Sequence, residues 1–172
     1  MALYSTFQAI LDPGDEVLLP EPYWVSYSEQ IKLAGGVPVA VPVDDSFKAT
    51  PADLAAKVTD KTVAFVLNSP ENPTGVIYDH SELSELNDWT SQHHLMVVTD
   101  DIYGQLVYNG AHFTSIAQLA DQLDPRIIII SGGSKTYSMT GWRMGYVVAN
   151  EQLISKIAAF LSHAVSTLSF FA

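Results

Sequence analysis

Short apolar runs alternate with amphipathic stretches along the chain, the pattern of an α/β fold with a mostly parallel sheet. The runs Val17–Leu19, Val37–Val41, Thr62–Leu67, Leu95–Thr99, Arg126–Ile130 and Tyr146–Ala149 predict six strands. Several are apolar at every position instead of alternating, as a strand must be when helices cover both faces of its sheet. The amphipathic stretches predict helices over Ala2–Leu11, Trp24–Leu33, Ala52–Lys57, Ser81–Gln92, Ser115–Gln122 and Glu151–Leu168. Asp12-Pro13-Gly14-Asp15 stops the first. Thr50 is placed to cap the third, with Pro51 at its first position and Asp53 at its third. In the last helix, Ile154, Ile157, Ala158, Leu161, Ala164, Val165 and Leu168 form one apolar stripe. No repeat, linker or low-complexity tract interrupts the pattern, so one domain is expected.

The composition narrows the partners. A chain of 172 residues, nearly half of them hydrophobic, is long enough to bury a core. A net charge of −11 argues against nucleic acid or an anionic membrane as a partner. No cysteine is present, which excludes disulfide and thiolate chemistry and suits a cytoplasmic protein. No run of 18 apolar residues occurs, so no membrane span is expected. His93-His94 has no carboxylate or cysteine at ligand spacing, and no metal site is expected. Both ends are apolar, Met1 to Phe7 and Leu168 to Ala172, where termini are usually polar. This suggests a piece of a larger fold, or surfaces that a partner covers.

Polar clusters then fall at one topological position, just past the C-terminal end of a strand. Asn68 to Gly75 follows the third run, Asp100-Asp101-Ile102-Tyr103 the fourth, and Ser131 to Arg143 the fifth. In an open parallel sheet these ends share an edge where ligands bind. In the third cluster Lys135 stands on a tight loop among Ser131, Gly132, Gly133 and Ser134, with Arg143 eight residues on. A nucleophilic amine beside an anion seat is what pyridoxal phosphate demands of a protein. Asp100 or Asp101 could keep its ring nitrogen protonated, and Asn72 and Tyr103 could donate to its phenolic oxygen. Tyr23-Trp24 could cover the flat ring. Arg143, one of two arginines, could pair with phosphate oxygens as a fork. The nucleotide-binding P-loop is excluded by spacing, because Ile129 stands where its first glycine belongs.

Together, Ser-Pro-Glu-Asn-Pro-Thr-Gly (69–75), Asp-Asp-Ile-Tyr (100–103) and Ser-Lys-Thr-Tyr-Ser-Met-Thr-Gly-Trp-Arg-Met-Gly-Tyr (134–146) resemble the class I/II aminotransferases. These are fold-type I pyridoxal-phosphate enzymes, and the similarity is strongest to bacterial aspartate aminotransferases. The resemblance spans essentially the whole chain, including residues 7–17. It implies a three-layer αβα cofactor-binding domain, lacking the family's N-terminal arm, its upstream phosphate loop and its C-terminal small domain. It implies that Lys135 forms the Schiff base and shuttles a proton, and that Asp100 pairs with the pyridine nitrogen. Asn72 and Tyr103 would bind the phenolic oxygen, Arg143 the phosphate, and Trp24 would stack on the ring. It also implies cis bonds before Pro22 and Pro73. Many members place a phosphate-binding serine three residues before the lysine; this chain has Gly132 there, flanked by Ser131 and Ser134.

The function implied is amino-group transfer from an amino acid to a 2-oxo acid, in a cytoplasmic homodimer. The alternatives are a catalytically inactive isolated fragment, or a lyase or decarboxylase on the same scaffold.

Overall fold

A computed structural model describes residues 1–165. All six strands form: β1 (Glu16–Glu21), β2 (Val37–Pro42), β3 (Thr62–Asn68), β4 (Met96–Asp100), β5 (Ile127–Gly132) and β6 (Gly145–Val148). They make one sheet in the order β2-β1-β3-β4-β5-β6. The first five are parallel to their neighbours, and β6 runs antiparallel to β5. The helices are α1 (Ala2–Ile10), α2 (Ser26–Leu33), α3 (Pro51–Ala55), α4 (His80–Gln92), α5 (Gly133–Thr136) and α6 (Glu151–Ala164).

Strand alternation feeds two cores, one on each face. Val17, Leu19, Ala64, Val66, Val98, Ile128 and Ile130 pack with Leu3 and Phe7 of α1, Ile31 of α2, and Leu153 and Ile157 of α6. Leu18, Phe65, Leu67, Val97 and Ile127 point the other way, onto Leu54 of α3 and Leu83 and Leu86 of α4. The helix–sheet–helix layering explains why these strands are apolar throughout. Each buried large side chain stabilises the fold by roughly 1.5–3 kcal/mol.

Local signals act as the chain pattern implies at α3. The Thr50 side chain accepts from the Asp53 amide, Asp53 returns the bond, and Pro51 opens the helix. Asp79 and Glu82 build the same reciprocal cap on α4. Three expectations shift. Helix α2 begins at Ser26, after Tyr23 and Trp24 have completed the turn from β1. The stretch 115–122 holds only a three-residue 3₁₀ turn, Ile116–Gln118, whose single buried anchor is Ile116; one anchor does not hold a longer helix in place. On α6 the buried residues are Leu153 and Ile157, with Leu161 packed beside them, whereas Ala158, Ala164 and Val165 are exposed. That helix packs chiefly against α1, so a narrow i, i+4, i+8 stripe is sufficient. Leu168 lies outside the described residues.

Among the described residues no helix is long and apolar enough to cross a membrane. None of their His, Cys, Asp and Glu side chains gather in a group of three fit to hold a metal ion.

Phe65 is fully buried in the second core. Phe65→Ala is expected to lower the unfolding free energy by about 3–5 kcal/mol in urea titration. Thr50→Ala, which removes only the α3 cap, is expected to cost about 1 kcal/mol. Equal losses from both would contradict the two-core description.

Candidate active site

Register brings the polar clusters together. Asn68 at the end of β3 lies beside Asp100 at the end of β4, and Asp100 lies beside Ile130 of β5. The segments carrying Asn72, Tyr103 and Lys135 therefore leave three adjacent strands at one edge of the sheet, β5 running two residues further than its neighbours.

Strand parity separates the two aspartates. Asp100 shares the face of Val98 and is 4% exposed. Its Oδ2 accepts from the Tyr27 hydroxyl at 2.8 Å, and its Oδ1 from the Ile102 amide at 3.2 Å. Asp101 turns to the opposite face, where the Thr99 hydroxyl donates to it at 2.6 Å. The alternation of β4 thus sends the two carboxyls to opposite faces of the sheet.

Burial pushes the Asp100 carboxyl up to about 6, against the opposing pull of the Tyr27 and Ile102 hydrogen bonds, with the Asp101 charge adding to the rise. Burial first, and the Asp100 charge second, hold the Tyr27 phenol well above its ordinary range. Tyr27 is therefore a neutral donor, and Asp100 is an acid poised near neutrality. Asp101 is also raised by burial, with the Ser115 and Thr99 hydroxyls opposing.

A line of contacts connects the expected residues. Trp24, 37% exposed, meets Tyr27 edge-on with ring centroids 5.4 Å apart. Tyr27 holds Asp100. The Asn68 amide donates to the Asp100 carbonyl at 2.8 Å and accepts from the Asn72 backbone at 2.9 Å. The Asn72 side-chain amide reaches the Tyr103 hydroxyl at 3.4 Å. The Lys135 Nζ stands 5.5 Å from the centre of the Tyr103 ring, a cation–π distance. Lys135 is carried on the short helix α5, directly after β5, not on an irregular loop.

The bonds before Pro22 and Pro73 are cis, and so is the one before Pro70.

The remaining candidates stand apart. Arg143 is exposed and left-handed (φ 55°), its guanidinium donating to the Thr140 carbonyl at 2.9 Å. Its charge also reaches the Met1 amine, which burial first and Arg143 second hold below its ordinary value. β6, which begins two residues on, packs against α1. Ser131 is half-buried in β5 opposite Tyr146, and Ser134 is half-buried in α5. Gly132 has a steric cause: a Cβ there would come within 2.6 Å of the Met144 carbonyl oxygen and 2.9 Å of the Gly145 Cα. The close approach of β6 excludes a side chain at that position. Tyr23 leaves the line of contacts, packing against the first core and lining an open cavity with Glu21, Pro22, Pro42 and Val43.

Two further residues hold this site together: Tyr27, which no motif singles out, and Asn68, which the sequence marks only as the first residue of its polar cluster. Tyr27 follows Trp24 by three, and its amide donates to the Trp24 carbonyl in the turn that opens α2, which brings the two rings together. Asn68 is the polar end of an apolar strand, the same position as Asp100 one strand over.

Asp100 is held near 6 in the folded chain against 3.8 in a solvated one. The folded chain keeps its proton longer, so Asp100 contributes stability at low pH that is lost as pH rises from about 4 through 6. Asp100→Asn removes that loss. Relative to the native chain, the variant is expected to gain on the order of 3 kcal/mol between pH 4 and 7.5 in urea unfolding. A difference independent of pH would contradict a burial-raised carboxyl.

Comparison with known proteins converges on one family. The family model for aminotransferase class I and II matches residues 2–171. The aspartate aminotransferase of Bacillus subtilis is 50% identical over 167 residues, covering 96% of this chain and 42% of that protein. The asparagine–oxo-acid transaminase of Streptococcus mutans is 47% identical over 169 residues, covering 97% of this chain and 43% of that protein. Among solved structures, the aspartate aminotransferase of Rhizobium meliloti superposes with a TM-score of 0.91 at 40% identity, over 95% of this chain and 42% of that one. The aromatic aminotransferase of Pyrococcus horikoshii gives 0.92 at 39% identity, over 96% and 44%. The chain spans less than half the length of the curated relatives it matches. Motifs, fold and half-identical relatives agree: the chain belongs to the class I and II aminotransferase family.

Proposed function

We propose that this chain is the cofactor-binding part of a pyridoxal-phosphate-dependent aminotransferase, which moves an amino group from an amino acid to a 2-oxo acid. The observation that carries the reading is the convergence of Lys135, Tyr103, Asn72 and the buried Asp100 at one sheet edge. The donor set fits the cofactor. It offers an exposed primary amine, a hydroxyl and an amide 3.4 Å apart that can share one oxygen, and an acid screened from water. Relatives named for aspartate and asparagine support a small polar amino acid as substrate. The reading extends to a cytoplasmic homodimer, the state that the family resemblance implies.

Pyridoxal phosphate, when bound, supplies a protonated pyridine ring that accepts electron density from the substrate's α-carbon. Lys135 would be the amine that holds the cofactor, and its Nζ would be the group that moves a proton at the substrate α-carbon. Asp100, oriented by the Tyr27 hydroxyl, would keep the ring nitrogen protonated. A cationic ring nitrogen there would favour the carboxylate, which burial alone disfavours. Asn72 and Tyr103 donate to the phenolic oxygen. Trp24 covers the ring face, with Tyr23 as a lesser contributor. Arg143 offers its guanidinium to the phosphate, with the Ser131 and Ser134 hydroxyls as further donors and the N-terminal turn of α1 adding a favourable dipole.

Incubation with pyridoxal 5′-phosphate followed by borohydride is expected to fix the cofactor's mass on Lys135, read by peptide mapping. Lys135→Ala is expected to lose that label and to reduce transamination by the intact enzyme roughly 10²–10⁴-fold or more. A label on another lysine would overturn the assignment of Lys135.

A further inference from the structure

We propose that Asn68 is a positioning residue of this site, its single side-chain amide tying the backbone that carries the acid Asp100 to the backbone that carries the donor Asn72. The proposal rests on the roles given above to Asp100 and Asn72.

Asn68 is 7% exposed and ends β3 level with Asp100. Its Nδ2 donates to the Asp100 carbonyl at 2.8 Å and its Oδ1 accepts from the Asn72 amide at 2.9 Å. Both partners need what it offers. The parallel ladder between β3 and β4 finishes at this pair, and the Asp101 amide is already turned to the Ile130 carbonyl of β5. The turn that follows β3 contains Pro70 and Pro73, which have no N–H. The Glu71 amide bonds to the Val76 carbonyl, and the Asn72 amide takes the Asn68 oxygen.

Only a side chain with a donor and an acceptor on one planar group satisfies both. Aspartate keeps the acceptor and loses the donor; alanine loses both. Because Asn72 goes on to meet Tyr103, and Tyr103 to meet Lys135, the amide sits at the junction between the acid and the amine. A buried polar network with every member paired holds its geometry more rigidly than the separate bonds would.

Hydrogen exchange of the cofactor-free protein tests the tie directly. Asn68→Ala is expected to speed exchange of the Asn72 amide about tenfold or more, the equivalent of one lost hydrogen bond. Val66, in the middle of β3, should keep its rate. Asn68→Asp, which retains the acceptor, should keep the Asn72 amide protected. With pyridoxal 5′-phosphate as the probe, Asn68→Ala and Asn72→Ala should each raise the dissociation constant about tenfold, and the double variant should be little worse than Asn72→Ala alone. Equal acceleration at Val66 and Asn72, loss of protection in Asn68→Asp, or additive losses of affinity would overturn the proposal. If the native protein takes up no cofactor, the proposed function fails, while the exchange rates still decide whether Asn68 holds Asn72.

Discussion

Three neighbouring strands that run parallel and share one C-terminal edge are the constraint on which the rest depends. The register that sets Asn68 beside Asp100, and Asp100 beside Ile130, leaves three chain segments emerging together. A slip of one residue in β4 would exchange Asp100 for Asp101 and turn the buried acid toward the opposite face. That register is maintained by the two cores. Phe65 and Val97 must reach one layer of helices while Val66 and Val98 reach the other. Hydrophobic burial thus supplies the precision that the polar site requires.

The site itself works against stability. Asp100 is a carboxyl buried at the C-terminal end of β4, and burial opposes its ionisation. Ser138 and Arg143 both hold positive φ values, in a region that non-glycine residues enter at a cost of order 1–3 kcal/mol each. Such features persist only where surrounding packing over-determines them. Tyr27 and Asn68 are the local part of that support. One gives the acid a neutral donor, and the other gives its backbone carbonyl a partner.

Much of this was legible in the chain. Six apolar runs became six strands because strands buried on both faces must be apolar throughout, a property that needs no knowledge of neighbours. Thr50-Pro51-Ala52-Asp53 became a capped helix start because capping is decided within four residues. Asn72, Asp100, Tyr103 and Lys135 were expected to converge because strand ends in a parallel sheet share an edge, and the contacts at that edge join them. The stripe on α6 was misplaced by one residue at its start, because hydrophobicity alone does not reveal that the helix packs mainly on α1. The 115–122 stretch reads as helical by pattern, but Ile116 alone of its apolar residues is fully buried, with Ala117 and Leu119 packed only partly against the second core.

By itself, then, the sequence determined the class of fold, the order of its elements and the chemical inventory at the strand ends, since these depend on periodicity and on local motifs. Only the tertiary structure decided which aspartate is buried, that Tyr27 donates to it, that Asn68 links it to Asn72, and that Gly132 is forced by the approach of β6. Each of those outcomes involves residues brought together across strands, or an approach between two chain segments, and such distances are set by how the sheet pairs and packs rather than by any stretch of chain alone.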